Sequence, residues 1–300
     1  MRQTVLVTGA TGFLGARLMR RLKATDMSLV GLRRPPAAAA SDAAIKWIET
    51  RTPASIVEQV KDLNPDVVFH LAALSVHTHS SLQVPELLEA NIGLGTYVLE
   101  GLRQAKSGRT GDRACFISAG SFWQYSEGSL SFAPNSFYAA TKQAFFDICA
   151  YYRDMEDIGA MALILPDIYG EGDPRDRILT RLAKTASSAP AIRLSGGEQI
   201  VDFMHVDDVV AGFLHAADVL RRPQSALLPE YFLHGISPMR LRDVVARLDA
   251  IRGYPLPVSW GALPYRRREV MTPAAGAQLP GWTAKIGLDE GLRRMIADIG

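Results

Sequence analysis

Tyr138-Ala-Ala-Thr-Lys142 sets a phenol and an ammonium four residues apart. On a helix the two side chains share a face, about 5–6 Å apart at Cβ. An undisturbed phenol titrates near pH ~10 and a neighbouring cation favours the phenolate, so the pair predicts a tyrosine that exchanges a proton near neutral pH. A second chemistry-bearing pattern opens the chain. Thr4-Val-Leu-Val-Thr-Gly9-Ala-Thr11-Gly12-Phe13-Leu14-Gly15 runs an apolar strand into three glycines and then a helical pattern. Gly9 and Gly12 let the backbone turn and approach a pyrophosphate, and Gly15 lets the helix lie close to the strand. The helix N-terminus offers free N–H groups to the phosphate oxygens. The strand–turn–helix context separates a dinucleotide site from a chance glycine triplet.

The elements that must hold these groups are legible in the alternation of patterns. Strand-like runs at 5–8, 28–32, 46–49, 67–70, 115–118 and 162–165 alternate with helical ones at 16–24, 55–62, 84–104 and 138–155. That alternation predicts βαβ units and an α/β fold, a doubly wound parallel (Rossmann) sheet covered on both faces. The alanine-rich stretch 37–44 reads as a surface connection. After Tyr169 the chain turns to glycine, proline and charge, with helical patterns at 178–186 and 209–220 and prolines scattered through the last sixty or so residues. We expect a dinucleotide domain over 1–169 plus about 205–235, and a smaller irregular C-terminal lobe, over about 170–204 and 236–300, covering the open end of the sheet. The ligand crevice belongs where the carboxyl ends of the strands face that lobe.

Composition narrows the function. Three hundred residues at 48% apolar bury a full core, and a formal charge of +2 gives no electrostatic case for nucleic acid or an anionic membrane. No apolar run reaches the length of a membrane span. The first strand begins at Thr4 with no charged leader or cleavage site, and Cys115 and Cys149 lie in apolar patterns as free thiols. Both features suggest a cytoplasmic protein. No metal-ligand spacing is present.

The G-x-x-G-x-x-G spacing, with YxxxK following the fifth strand, resembles the short-chain dehydrogenase/reductase superfamily, and Thr8, Ala10 and Phe13-Leu14 resemble its extended, nucleotide-sugar-modifying branch. The resemblance implies a role for Lys142 on the ribose of a nicotinamide cofactor and for Tyr138 in proton transfer. It also implies a hydroxyl just after the fifth strand that polarises the substrate oxygen. In Ser118-Ala-Gly-Ser121-Phe-Trp-Gln124 that hydroxyl is Ser121, with Ser118 as the alternative; a different alignment would put Ala119 there. The resemblance carries further roles. Leu71, Ala72 and Ala73 bring backbone to the cofactor, and Pro166 and Ile168 line the nicotinamide. Asn91 bridges helix to strand. Ser75, Phe122, Trp123, Asp167, Arg177, Phe203 and Arg266 face the substrate, Arg266 as a diphosphate partner. Asp167 stands where Asn is common, and Val201 where Arg is usual. Stretches 121–124 and 135–146 look most like the group of 4-keto-6-deoxysugar reductases that includes the cytidine-diphosphate-abequose synthases.

Members that prefer NAD carry an acidic residue at the end of the second strand, to bond the ribose 2′-hydroxyl. Here the chain reads Arg33-Arg34, which suits a 2′-phosphate and makes the expected cofactor NADPH, with NAD possible. The acidic pair of the family's dehydratases is missing after Ser121. What remains is NADPH-dependent reduction of a nucleotide-diphosphate keto-sugar, with a 4-epimerase retaining NAD as the alternative. A non-catalytic dinucleotide sensor is a third reading, against which the intact Tyr138/Lys142 pair argues. Apolar residues beyond one face of the 84–104 and 138–155 helices (Val98, Leu102, Phe145, Phe146, Tyr151) predict a homodimer built on a four-helix interface.

Overall fold

Thr4–Thr8 is buried on both faces apart from its first residue, as an interior parallel strand must be. In the computed structural model, which describes residues 2–35, 42–105, 113–222 and 227–299, it is β1. It is followed by β2 (Ser28–Arg33), β3 (Ile45–Glu49), β4 (Val67–His70), β5 (Cys115–Ser121), β6 (Gly159–Leu165), β7 (Asp167–Tyr169), β8 (Ile192–Arg193), β9 (Ile200–Val201), β10 (Phe203–His205), β11 (Glu230–Phe232), β12 (Met239–Arg240) and β13 (Val258–Ser259). The helices are α1 (Phe13–Leu22), α2 (Pro53–Leu63), α3 (Val84–Leu88), α4 (Leu94–Ala105), α5 (Phe137–Met155), α6 (Ile178–Lys184), α7 (Val206–Arg221), α8 (Leu241–Arg252) and α9 (Leu288–Ile299). Of the expected alanine-rich connection, 37–41 lies outside the described residues.

Seven strands form one parallel sheet in the order β11-β6-β5-β4-β1-β2-β3. The order reverses direction between β1 and β4, and ligand crevices of such sheets open at that point, past the carboxyl ends of the strands. A buried polar link secures it: the Thr8 hydroxyl accepts from the Ala72 N–H (3.2 Å) and meets His70 Nδ1 at 2.9 Å. Burial, and then the charge of Lys142, push the His70 imidazole down to about 3, so it joins β1 to β4 as a neutral ring.

Local sequence explains where the helices begin. Thr52 and Ser55 form a reciprocal cap with Pro53 at the first position of α2. The Ser136 side chain caps α5, and Asp207 and Asp208 occupy the positive end of α7. One apolar layer joins α1 and α7 to the sheet through Leu18, Leu22, Val209 and Phe213; the other joins α2, α4 and α5 through Val60, Leu99 and Phe145. A third cluster, with Leu182, Val245, Leu248, Leu292 and Met295, holds α6, α8 and α9 together.

Three expectations need correction. The 84–104 helix is broken: a π-turn over Glu89–Gly93 separates α3 from α4. It arises at Asn91, whose fully buried amide accepts from the Leu74 N–H (2.7 Å) and donates to the Leu74 carbonyl (3.1 Å) and to Thr141 Oγ1 (3.0 Å). The seventh strand and the full-length helix α8 are additions to the expected elements. Finally, Val98, Leu102, Phe145 and Phe146 do not face outward. They are buried in the layer shared by α2, α4, α5 and the sheet, and of the five named residues only Tyr151 is exposed. Each gains about 1.5–3 kcal/mol from burial within one chain, so their apolar character says nothing about a partner.

Candidate active site

The phosphate cradle forms at the β1–α1 turn. Gly9 takes φ +68°, and a Cβ there would lie 2.7 Å from the Ala72 nitrogen. A Cβ on Gly15 would lie 2.0 Å from the Gly9 carbonyl oxygen. These two positions therefore hold the turn, the start of α1 and the Leu71-Ala72 backbone in contact. Gly12 caps α1 without a side-chain bond, and no acidic residue occupies the first turn, which leaves an electropositive helix end suited to a diphosphate. Thr11 and Gly12 are exposed at its mouth, Leu14 packs into the core, and the Arg175 guanidinium stands over the Phe13 ring at 4.7 Å. Ala73 is exposed just beyond Ala72. Pro166 and Ile168 flank Asp167 at the end of β6, and the Ile168 carbonyl accepts from Arg175 Nη2 at 3.0 Å.

Arg33 and Arg34 part company. The Arg34 side chain is 80% exposed and pairs with Glu86. The Arg33 side chain is 17% exposed, with its guanidinium over the Trp47 ring at 5.4 Å and 3.6 Å from Glu49. Its Nε and Nη1 are buried without a hydrogen-bond partner. Buried donors left unpaired are costly, so the group fits an anionic ligand such as a 2′-phosphate. Glu49 is a residue the sequence reading missed. The parallel register sets it opposite Arg33, so the carboxylate absent from the second strand arrives from the third.

Tyr138 and Lys142 lie on one buried face of α5. The Ser75 and Ser121 hydroxyls face the Tyr138 hydroxyl and favour its ionised form. Burial raises the phenol above its ordinary range, while Arg177, then Ser75 and Ser121, pull it back. The expected lowering by Lys142 is not what perturbs it. Lys142 is itself pushed down to about 8 by burial. A phenol held protonated is a proton donor, the state a carbonyl reduction requires.

Ser121 ends β5 and starts a tight turn over Phe122–Gln124. The Gln124 side chain is fully buried; its Oε1 accepts from the Ser121 N–H (2.9 Å) and its Nε2 donates to Gln143 (3.1 Å). Gln124 thus fixes Ser121, a second residue the sequence reading missed. Ser118 sits three residues deeper in β5, an odd offset that turns its side chain to the other face of the sheet, and is paired in register with His70. Trp123 packs edge-on against the Tyr138 ring at 6.1 Å, with Phe122 beside it.

Around the phenol lies a cationic rim. Arg177 donates to Ser75 Oγ (3.2 Å), and its Nη1 stands 3.4 Å from His77 Nε2; Arg266 Nη1 stands 2.8 Å from His77 Nδ1. The His77 ring lies tilted against Trp123, with centroids 4.2 Å apart. Burial raises the Asp167 carboxyl to about 6, with Arg177 lowering it, Asp202 raising it, and Arg175 and Arg266 lowering it further. Phe203, in β10, pairs in register with Asp167 and meets the Tyr169 ring edge-on. The fold thus gathers Ser75, Ser121, Trp123, Tyr138, Asp167, Arg177 and Arg266 at one place. Phe203 stands at its margin, while Arg34 pairs with Glu86 instead. His77 is the third missed residue, in a loop whose pattern carries no periodic signal. Among the described residues, no group of three or more His, Cys, Asp or Glu side chains is placed to hold a metal ion.

A glycine cradle at the switch point and a tyrosine–lysine pair on the helix after β5 define the class. Residues 5–227 match the NAD dependent epimerase/dehydratase family, and the chain belongs to that family of extended short-chain dehydrogenases/reductases. Over nearly its full length it is similar to CDP-abequose synthase of Salmonella typhimurium, 26% identical across 98% of this chain and 99% of that protein. It is also similar to dTDP-4-dehydro-6-deoxy-D-allose reductase of Streptomyces bikiniensis, 24% identical across 84% of this chain and 82% of that protein. In fold it resembles UDP-glucuronic acid 4-epimerase of Bacillus cereus, solved with UDP-glucuronic acid and NAD, with a TM-score of 0.83 at 22% identity over 99% of each chain.

Proposed function

We propose that this protein reduces a nucleotide-linked 4-keto-6-deoxysugar to the hydroxy sugar, with NADPH as the reductant. The observation that carries the reading is the buried Tyr138 hydroxyl, faced by Ser121 and Ser75 and rimmed by Arg177 and Arg266. Gly9, Thr11, Gly12, Phe13 and Leu14 hold the cofactor diphosphate, Leu71, Ala72, Ala73, Pro166 and Ile168 flank it, and Lys142 holds the ribose of the nicotinamide. When bound, the reduced nicotinamide supplies a hydride to the carbonyl carbon. Tyr138 Oη donates the proton to the carbonyl oxygen, and Ser121 Oγ polarises that oxygen through a hydrogen bond. Arg177 and Arg266 grip the substrate diphosphate through planar donor forks, while Phe122, Trp123, Asp167 and Phe203 border the sugar and base. Residues 1–169 with about 205–235 carry the cofactor, and about 170–204 and 236–300 carry the substrate; the separate apolar cluster of α6, α8 and α9 supports that division.

The unpaired Arg33 nitrogens support NADPH. Fluorescence titration is expected to show NADPH bound more tightly than NADH by at least a few-fold, and Arg33→Asp is expected to weaken NADPH alone. Equal affinities, or a preference for NADH, contradict the assignment. One observation favours the second reading, a 4-epimerase retaining NAD: Glu49 sets a carboxylate beside Arg33 at the end of the second strand, the kind of group that bonds a ribose 2′-hydroxyl. NAD that stays with the protein through purification decides for it.

The protein acts in the cytoplasm, a reading that its two free buried thiols support; among the described residues no helix is long and apolar enough to cross a membrane. It works as a homodimer through α4 and α5, a reading supported only by Tyr151 and Met155, both exposed on α5. Light scattering at micromolar concentration is expected to give twice the chain mass; a strict monomer contradicts this.

A further inference from the structure

His77 sits in an arrangement that its own chemistry cannot satisfy. Its Nδ1 lies 2.8 Å from Arg266 Nη1, and its Nε2 lies 3.4 Å from Arg177 Nη1. A guanidinium only donates, and a neutral imidazole has one accepting nitrogen. The shorter contact makes Nδ1 the acceptor from Arg266. The remaining Nε2–H then points at another donor, Arg177. Nothing in the ring itself resolves this: protonation would set two donors against two guanidinium groups. Accordingly, although the residue stands exposed at the rim, partial desolvation of the ring, then Arg266 and Arg177, push the imidazole down to about 4.

An anion resolves it. A diphosphate held by the two arginines accepts from both guanidinium groups, frees the ring nitrogen that each had faced, and offers an acceptor to a ring N–H. It also cancels the positive charge that helps hold the ring neutral. We propose that His77 is a positioning residue of the diphosphate site, which takes up a proton when a nucleotide-sugar diphosphate settles between Arg177 and Arg266. The inference rests on the reading of that site given above.

Other groups face the same space. Arg177 comes from the start of α6 and Arg266 from the C-terminal segment. Trp123, which packs tilted against the His77 ring, is uncharged, and Tyr138 behind it is kept protonated by burial. Asp167, with Arg175 close by, has its carboxyl raised to about 6, and the Glu269 carboxylate accepts from the Arg266 N–H at 3.3 Å. His79, two residues on, stacks on Phe137 instead.

The direction of the effect follows from linkage. The free protein holds His77 neutral above pH ~4, whereas a ring whose charge is compensated returns toward its ordinary value of about 6.5. Between those values the complex binds more protons than the free protein, so affinity rises as pH falls through ~6.5 and levels off below ~4. A full return gives affinity about tenfold higher near pH ~5.5 than near pH ~7.5, with close to one proton taken up at the lower value.

Isothermal titration with UDP-glucose and CDP-glucose, in paired buffers of different ionisation heat at both pH values, measures affinity and proton uptake together. Their diesterified diphosphates do not titrate in this range. The wild type is expected to show the tenfold rise and the proton. His77→Phe keeps an aromatic face on Trp123, and His77→Gln keeps an acceptor for Arg266; both are expected to bind with little pH dependence and no uptake. Asp167→Asn is expected to retain the uptake. A wild type that binds without taking up a proton overturns the inference while leaving the diphosphate site in place. So does uptake that survives in both His77 variants, or that disappears in Asp167→Asn. Failure of the wild type to bind either nucleotide sugar overturns the reading of the site itself, and the inference with it.

Discussion

Tyr138→Phe is expected to lower turnover by about 10²–10⁴-fold, the usual worth of a positioned general acid, while NADPH affinity and the fold survive. Only one oxygen is removed, and the ring keeps its place against Trp123 and Ala139. Ser75 and Ser121, which face it, keep their partners, Arg177 Nη2 and the Trp123 N–H. Ser121→Ala is expected to be milder, because the phenol still protonates the substrate oxygen. Lys142→Met is expected to reduce turnover and cofactor affinity together, since the ammonium serves the ribose. Steady-state kinetics with a keto-sugar nucleotide, beside NADPH titrations, separates the three. Near-normal turnover in Tyr138→Phe would mean that the proton comes from elsewhere.

The second large effect belongs to the cradle. Gly15→Ala sets a methyl where the Gly9 carbonyl oxygen stands 2.0 Å away, with further backbone at 2.7 and 2.9 Å. These are backbone atoms, so no side chain can swing aside. Either α1 moves off β1 or the Gly9 turn opens, at a cost of about 1–3 kcal/mol or more, and both movements spoil the phosphate site. Thermal melting is expected to show clear destabilisation, and NADPH titration at least a tenfold loss of affinity. Gly287→Ala is the control: nothing lies within 4 Å of a Cβ there, so a change within about 0.5 kcal/mol is expected. A Gly15→Ala protein that melts and binds like the wild type contradicts the account of the turn.

These two sites were the most legible in the sequence because each is local. The glycine turn is specified over a dozen neighbouring residues, and the tyrosine–lysine pair by one helical turn. The central strands were legible for a related reason: a strand buried on both faces is an unbroken apolar run, and β4 matches its expected bounds. What escaped depends on contacts between distant segments. Glu49 meets Arg33 only through the register of two parallel strands. His77 meets Arg177 and Arg266 across 100 and 189 residues of sequence. The π-turn at Asn91 comes from a buried amide seeking partners in the loop after β4 and in α5, a demand invisible along its own helix. Helix α8 was hidden among prolines that flank rather than interrupt it. The apolar surplus on α4 and α5 was misread because each of those helices packs on the sheet and on a neighbouring helix as well.

The central claim is net reduction by NADPH, and the most direct test follows NADPH consumption by the purified protein across a panel of 4-keto-6-deoxysugar nucleotides, with product analysis. The account predicts that at least one member of the panel is converted to its hydroxy sugar with one NADPH oxidised per sugar, by protein that carries no retained dinucleotide. If NADPH is left untouched while hydroxylated nucleotide sugars interconvert on protein that retains NAD, the enzyme is an epimerase and the account is wrong.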